Sequence, residues 1–332
     1  MDTRPLGRTT RSVSVIGLGT WQLGADWGDV TEADARAVLD AAVAGGVTLF
    51  DTADVYGDGR SEKLIGGYLA DNPGHSITVA TKMGRREAQE AGNFTLAKFR
   101  EWTDRSRANL RMDTLDLVQL HCPPTAVLSI DRVYDDLDTL VADGAIAAYG
   151  VSVETAEEAL TAIARPHVAT VQIILNAFRL KPLDAVLPAA IAAGVGIIAR
   201  VPLASGLLSG RYTADTTFAP NDHRTYNRDG SAFDVGETFS GVEFAQGVLA
   251  AQEFAALLPG EAAATGFSTA QVALAWVAQL HGVSSVIPGA RNVRQAESNA
   301  AAGSVPQLSP EFTAAVTGIY DRTFRAAIHH RW

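Results

Sequence analysis

The 332-residue chain contains one cysteine, Cys122, which excludes an intrachain disulfide framework and any multi-thiolate metal site. No stretch approaches the ~20 consecutive apolar residues needed to span a bilayer. Met1-Asp2-Thr3-Arg4-Pro5 lacks the long apolar region of a secretory signal. Basic residues are in deficit, with 27 Lys and Arg against 37 Asp and Glu, a formal charge of -10. Such a surface repels phosphate backbones, and no basic patch offsets it, so no nucleic-acid partner is expected. A Gly-x-Gly-x-x-Gly turn is also missing: Gly17-Leu18-Gly19 is followed by four other residues before Gly24, which argues against a Rossmann domain. These absences predict a soluble cytoplasmic protein with no membrane partner. Nothing in the chain signals an oligomeric state.

What is present is core material: 47% of residues are hydrophobic and 19% charged. Eight short apolar runs alternate with Ala/Leu-rich helical stretches: Val13–Leu18, Val47–Phe50, Ile77–Thr81, Leu115–Leu120, Ala147–Val151, Thr170–Leu175, Gly196–Val201 and Ser284–Ile287. Runs that are apolar almost throughout suit strands covered on both faces, and eight such units suit a closed parallel barrel. The expectation is an α/β fold, a single (β/α)8 TIM barrel over residues 1–332 with an N-terminal hairpin. Thr31, with Asp34 three residues on, is expected to cap Glu32–Ala44. Ser129 or Asp131 is expected to open a helix ending near Val141, and Ser268 or Thr269 precedes another. From about 205 to 243 the chain is rich in Gly, Asp, Thr and Asn, as in Asn221–Gly230. A connection of this length after strand 7 reads as a lid or binding loop, or else as an insertion without a role. A C-terminal tail follows from about 304 to 332.

Polar residues stand at the ends of three successive runs: Asp51 and Tyr56, then Lys82, then His121. In a parallel barrel these ends converge on one rim. An ammonium ~4 Å from the Tyr56 hydroxyl, at an effective dielectric of ~20, contributes ~4 kcal/mol, or ~3 pKa units, toward the phenolate. Desolvation opposes part of that. Asp51 would hold Lys82 charged, and His121 would steer a substrate oxygen, so the group suits proton delivery to a carbonyl. A metal bound by Asp51, Asp54 and His121 is the rival reading; it lacks a His pair at ligand spacing and leaves Lys82 without a role.

Phe50-Asp-Thr-Ala-Asp-Val-Tyr-Gly57, Ser61-Glu62, Thr81-Lys82 and Asp113-Thr-Leu-Asp-Leu-Val-Gln-Leu-His121 resemble the signature blocks of the aldo-keto reductase family, a resemblance that covers nearly the whole chain. It implies a (β/α)8 barrel with a nicotinamide cofactor and no metal, Tyr56 as general acid, Lys82 and Asp51 tuning it, and His121 orienting the carbonyl. Members that reduce carbon-carbon double bonds carry an acid at the position of His121, so the resemblance points to a carbonyl reductase or alcohol dehydrogenase.

By the same resemblance Gly19, Thr20 and Trp21 lie beside the nicotinamide and substrate, although on pattern alone Trp21 is equally a core residue. Ser152 and Gln172 would hold the carboxamide, with Val153 where relatives usually have Asn. Arg200 stands where relatives often have a stacked aromatic. It either stacks, turns toward phosphates or an anionic substrate, or forms a salt bridge at the rim. Leu203, Ser205, Gly206 and Leu208 resemble the pyrophosphate clamp. Gly289, Arg291, Gln295 and Asn299 resemble the adenosine end, where Arg291 would pair with a 2′-phosphate and favour NADP(H) over NAD(H). The expected function is reversible hydride transfer between NADP(H) and a small carbonyl or alcohol substrate: an aldehyde, ketone or sugar-like hydroxy-carbonyl. The substrate pocket is expected around Trp21, Tyr56 and His121, with specificity from residues 83–87, the long loop and the tail. The alternative is a nicotinamide-binding regulatory or scaffold protein on the same barrel.

Overall fold

A computed structural model describes residues 1–24, 30–220, 222–232, 236–258 and 266–332; Asn221, in the long loop, lies outside the described residues. Strands β1 (Thr3–Pro5) and β2 (Ser12–Ser14) form an antiparallel hairpin. Strands β3 (Leu18–Gly19), β4 (Leu49–Asp51), β5 (Thr78–Met83), β6 (Leu117–His121), β7 (Tyr149–Ser152), β8 (Thr170–Ile174), β9 (Gly196–Arg200) and β10 (Val283–Val286) pair in parallel, each with its neighbour in sequence. Parallel bridges Ile16–Val286 and Gly19–Gly289 join the two edge strands, so the sheet is a nearly closed (β/α)8 barrel.

Helices α1 (Glu32–Ala44), α2 (Arg60–Asp71), α3 (Leu96–Leu110), α4 (Asp131–Ala142), α5 (Ala156–Ile163) and α6 (Val186–Ala193) pack outside the sheet. They are followed by α7 (His223–Tyr226) in the long loop, then α8 (Phe244–Ala256), α9 (Thr269–Gln279), α10 (Val293–Ala301) and α11 (Pro310–Thr323). Among the described residues no helix is long and apolar enough to cross a membrane.

The hairpin closes the floor. Leu6 and Val13 bury themselves against Leu49, Ala80, Leu117 and Ile198 inside the barrel. Arg4 Nη1 donates to the Val283 carbonyl at 2.7 Å. Gly7, at φ +55, passes so close to the Ala169 carbonyl that a Cβ would collide with it.

The run Val13–Leu18 therefore divides, contrary to its reading as one barrel strand: its start belongs to the hairpin, and the barrel strand is Leu18–Gly19. The division falls at Ser14. Its backbone N–H donates to Thr48 Oγ1 at 2.8 Å, its hydroxyl accepts from the Thr48 N–H at 2.9 Å, and that hydroxyl donates to the Ile16 carbonyl at 2.7 Å, turning the chain upward.

Helix starts follow local chemistry. Thr31 accepts from the Asp34 N–H at 3.1 Å, while its own hydroxyl donates to the Asp34 carboxylate. Ser268 and Gln271 complete a reciprocal capping box on α9. Helix α4 opens at Asp131, one of the two expected starts, with Ile130 at the cap position and no side-chain bond there, because a tight turn over Thr125–Ser129 takes up Ser129 and leads directly into the helix.

Candidate active site

The ends of β4, β5 and β6 share one rim, and the parallel register brings Asp51, Lys82 and His121 together there. Tyr56 arrives from the turn after β4, where its N–H donates to the Ala53 carbonyl at 3.1 Å. Lys82 and Asp51 are 1% and 3% exposed. The ammonium spends its three donors on Asp51 Oδ1 at 2.5 Å, the Thr52 carbonyl at 2.9 Å and the Tyr56 hydroxyl at 3.4 Å. Asp51 Oδ2 accepts from Gln172 Nε2 at 2.7 Å and Gln119 Nε2 at 3.4 Å. Its carboxylate is thus committed to an ion pair and two amides.

Burial dominates the Tyr56 hydroxyl and holds its pKa above the ordinary phenol range, although the Lys82 charge pulls it down; Asp51 and Glu237 add to the rise. This reverses the lowering expected from Lys82 alone, because the phenol loses more hydration than one ammonium returns. Burial also pushes Lys82 toward neutrality, but Asp51 and Tyr56 outweigh it and its pKa rises, so it stays charged. Burial, then the positive charges of Arg85, Lys82 and Arg200, press His121 well below its usual value and keep it neutral. His121 Nδ1 is buried with no hydrogen-bond partner among the described residues. His121 and the protonated Tyr56 phenol both line the cavity, so a substrate oxygen placed there meets the two side chains together.

Aromatic packing shapes that place. Trp21 stacks on Tyr56 with ring centroids 6.2 Å apart and meets His223, from α7, at 5.4 Å. His121 stands edge-on to Tyr56 at 6.1 Å. Trp21 is therefore a wall residue and not a core one. A cavity of about 1090 Å³ extends from Tyr56, His121 and Trp21 past Arg200 to Arg291 and Asn299.

Along its length the cavity has the chemistry of a dinucleotide bed. Gly19, Thr20, Ser152, Gln172, Leu203, Ser205, Gly206, Gly289, Gln295 and Asn299 all line it, and Arg211, Arg291 and Arg294 add positive charge. Gly206, at φ +98, is where any Cβ would strike the Tyr212 hydroxyl, so the chain can be this close only without a side chain. The Gly206 and Leu208 amides donate to the Leu203 carbonyl, and Leu208 itself turns fully into the core instead of lining the cavity. Asn299 Nδ2 donates to the Gly289 carbonyl at 3.1 Å, and Gln295 Oε1 accepts from the Arg291 N–H at 3.0 Å, so both shape the loop that presents Arg291. Charge at one end, a buried amide and phenol group at the other, and length between them fit a nicotinamide dinucleotide.

The Aldo/keto reductase family pattern matches residues 15–321. The chain belongs to the aldo/keto reductase family. An uncharacterized oxidoreductase from Mycobacterium tuberculosis is 33% identical to it over 328 residues, 96% of this chain and 91% of that protein. Among solved structures, the glycerol dehydrogenase AKR11B4 from Gluconobacter oxydans is 30% identical with a TM-score of 0.77, covering 97% of this chain and 96% of its own. An aldo-keto reductase from Klebsiella pneumoniae in complex with NADPH is 25% identical with a TM-score of 0.70, covering 96% of both chains.

In this aldo/keto reductase, several residues of the site escape a reading of strand ends. Gln119 joins Gln172 on Asp51; a polar residue two before His121 in an apolar strand shares its face, which is a legible signal. Arg85, from the loop after Lys82, lines the cavity and donates to the His121 carbonyl at 3.2 Å, while Arg86 is tied to Asp58. The described parts of the long loop are packed, with Tyr212, Phe218, Phe239 and Phe244 in mutual ring contact. His223 and Glu237 reach the cavity from this loop with no local sequence signal. Arg200 pairs with Glu237 at the rim. The tail is docked: Trp332 is buried, with the Arg179 guanidinium 3.8 Å from its ring centroid.

Proposed function

We propose that the chain is an NADP(H)-dependent oxidoreductase that moves hydride reversibly between the nicotinamide and the carbonyl carbon of a small aldehyde, ketone or hydroxy-carbonyl. The observation that carries this reading is the buried Asp51–Lys82 pair with its ammonium 3.4 Å from the Tyr56 hydroxyl, facing a cavity long enough for a dinucleotide. Binding a cofactor for regulation alone would not need that group. The NADPH complex and the glycerol dehydrogenase among the structural relatives support the cofactor and a small polar substrate.

The bound cofactor would supply the hydride. The protein's part is to manage the substrate oxygen. Tyr56 donates its proton to the developing alkoxide, and Lys82, held by Asp51, stabilises the phenolate left behind. Neutral His121 orients the same oxygen, and Trp21 limits where the rest of the substrate lies. Gln172 and Ser152 would hold the carboxamide, and Arg291 a 2′-phosphate. The test is loss of reduced-nicotinamide absorbance over a panel of small aldehydes and ketones, with wild type and Tyr56→Phe. The variant should lose roughly 10²–10⁴ in kcat while its cofactor Kd stays within about twofold. Full turnover in the variant would remove Tyr56 from the role.

A further inference from the structure

The segment 236–241 brings a carboxylate into the cavity that the four strand-end residues do not account for. Glu237 pairs with Arg200 Nη1, and both side chains are largely buried. Arg200 Nη2 reaches the Val153 carbonyl at 3.3 Å and Cys122 Sγ at 3.9 Å, and Cys122 directly follows His121. Any ring that passes hydride to a carbon whose oxygen is held by Tyr56 and His121 must therefore lie close to the Arg200–Glu237 pair. A nicotinamide ring is cationic when oxidised and uncharged when reduced. A guanidinium without its carboxylate would repel the first form and not the second; a paired one presents little net charge.

Glu237 belongs to no strand or long helix, so its position depends on what grips the segment. Ser205 Oγ donates to the Glu237 carbonyl at 3.0 Å and accepts from the Phe239 N–H at 3.1 Å. Asn176 Nδ2 donates to Ser240 Oγ at 2.7 Å. The third grip is the tail. Arg179, fully buried, stacks on Trp332 and donates to the Glu154 carbonyl, and Arg331 Nη1 donates to the Gly241 carbonyl at 3.4 Å. A Cβ at Gly236 would run into the Arg179 guanidinium, and one at Gly241 would press on the Trp332 ring. The backbone of the segment thus lies directly against the clamp.

We propose that Glu237 is a positioning residue that neutralises Arg200 beside the nicotinamide and so sets the relative affinity for oxidised and reduced cofactor, and that the Arg179–Trp332 clamp holds it there. This rests on the proposed nicotinamide function. The experiment is titration of NADP⁺ and NADPH, without substrate, into wild type, Glu237→Gln, Arg200→Gln/Glu237→Gln, Trp332→Ala and Trp332→Phe. Glu237→Gln should raise the ratio of the NADP⁺ Kd to the NADPH Kd about tenfold, equivalent to about 1.4 kcal/mol. Removing Arg200 as well should return the ratio to within about twofold of wild type, since the positive charge that Glu237 balances is then gone. Trp332→Ala should shift the ratio the same way and Trp332→Phe should keep it near wild type. An unmoved ratio in Glu237→Gln, or a double variant that does not restore it, would overturn the role of Glu237 alone. Failure of wild type to bind either cofactor would overturn the proposed function and this role together.

Discussion

Replacing Lys82 with Met separates what the buried ion pair does for stability from what it does for chemistry. The ammonium is 1% exposed and all three of its donors are used, so the substitution leaves the Asp51 carboxylate buried against Gln172 and Gln119 only. Breaking a buried pair by removing one partner costs about 3–5 kcal/mol. A chain of 332 residues has an unfolding entropy of roughly 0.7 kcal/mol per degree, so Tm should fall by about 4–7 °C. Replacing both partners, as in Asp51→Leu/Lys82→Met, removes both charges and should recover most of that loss. Turnover should behave differently. At 3.4 Å and an effective dielectric of 20, the ammonium contributes up to about 5 kcal/mol toward the phenolate of Tyr56. Without it, burial and Glu237, joined by Asp51 in the single variant, raise the phenol unopposed, and kcat should fall at least about 10²-fold in both the single and the double variant. Thermal denaturation and cofactor-oxidation rates measure the two effects separately. A single variant with unchanged Tm, or a double variant that recovers turnover along with stability, would refute this account of the pair.

Arg291→Ala should erase most of the preference for NADP(H), read as the ratio of Michaelis constants for the two cofactors; an unchanged preference would remove Arg291 from the 2′-phosphate site. Asp54 predicts a stability effect instead. Both of its oxygens are buried without a hydrogen-bond partner among the described residues, and burial, then the nearby Glu62, raises its pKa from 3.8 to about 7. The folded state thus keeps a proton that the unfolded chain releases from about pH 4 upward, so stability is lost between about pH 4 and pH 7 and is level above that. The loss is at most about 4 kcal/mol. Asp54→Asn should therefore raise Tm by up to about 6 °C at pH 8 and leave it unchanged near pH 4. An equal shift at both pH values would show that the carboxyl's ionisation is not the cause.

The barrel was legible because its signals are local and repeated. Seven of the eight apolar runs and the Thr31 and Ser268 caps can each be read within a few residues, and the structure forms them there. The division of Val13–Leu18 was not legible, since it depends on Thr48 meeting Ser14 across the floor. The choice between Ser129 and Asp131 as the start of α4 was not legible, because Ser129 is taken into a preceding turn whose geometry follows from packing.

The sequence by itself determined the strand ends on which Asp51, Lys82 and His121 stand, because the chain order of parallel strands fixes which residues reach the rim. Tertiary structure alone decided the electrostatic state of the site. Desolvation depends on everything packed around a group, and around Tyr56 it outweighs the neighbouring ammonium. It also decided that Arg200 faces a carboxylate. Glu237 is 37 residues away in sequence, on a segment gripped by Ser205, Asn176 and a tail some ninety residues further on, and no local pattern in the chain encodes a meeting across such distances.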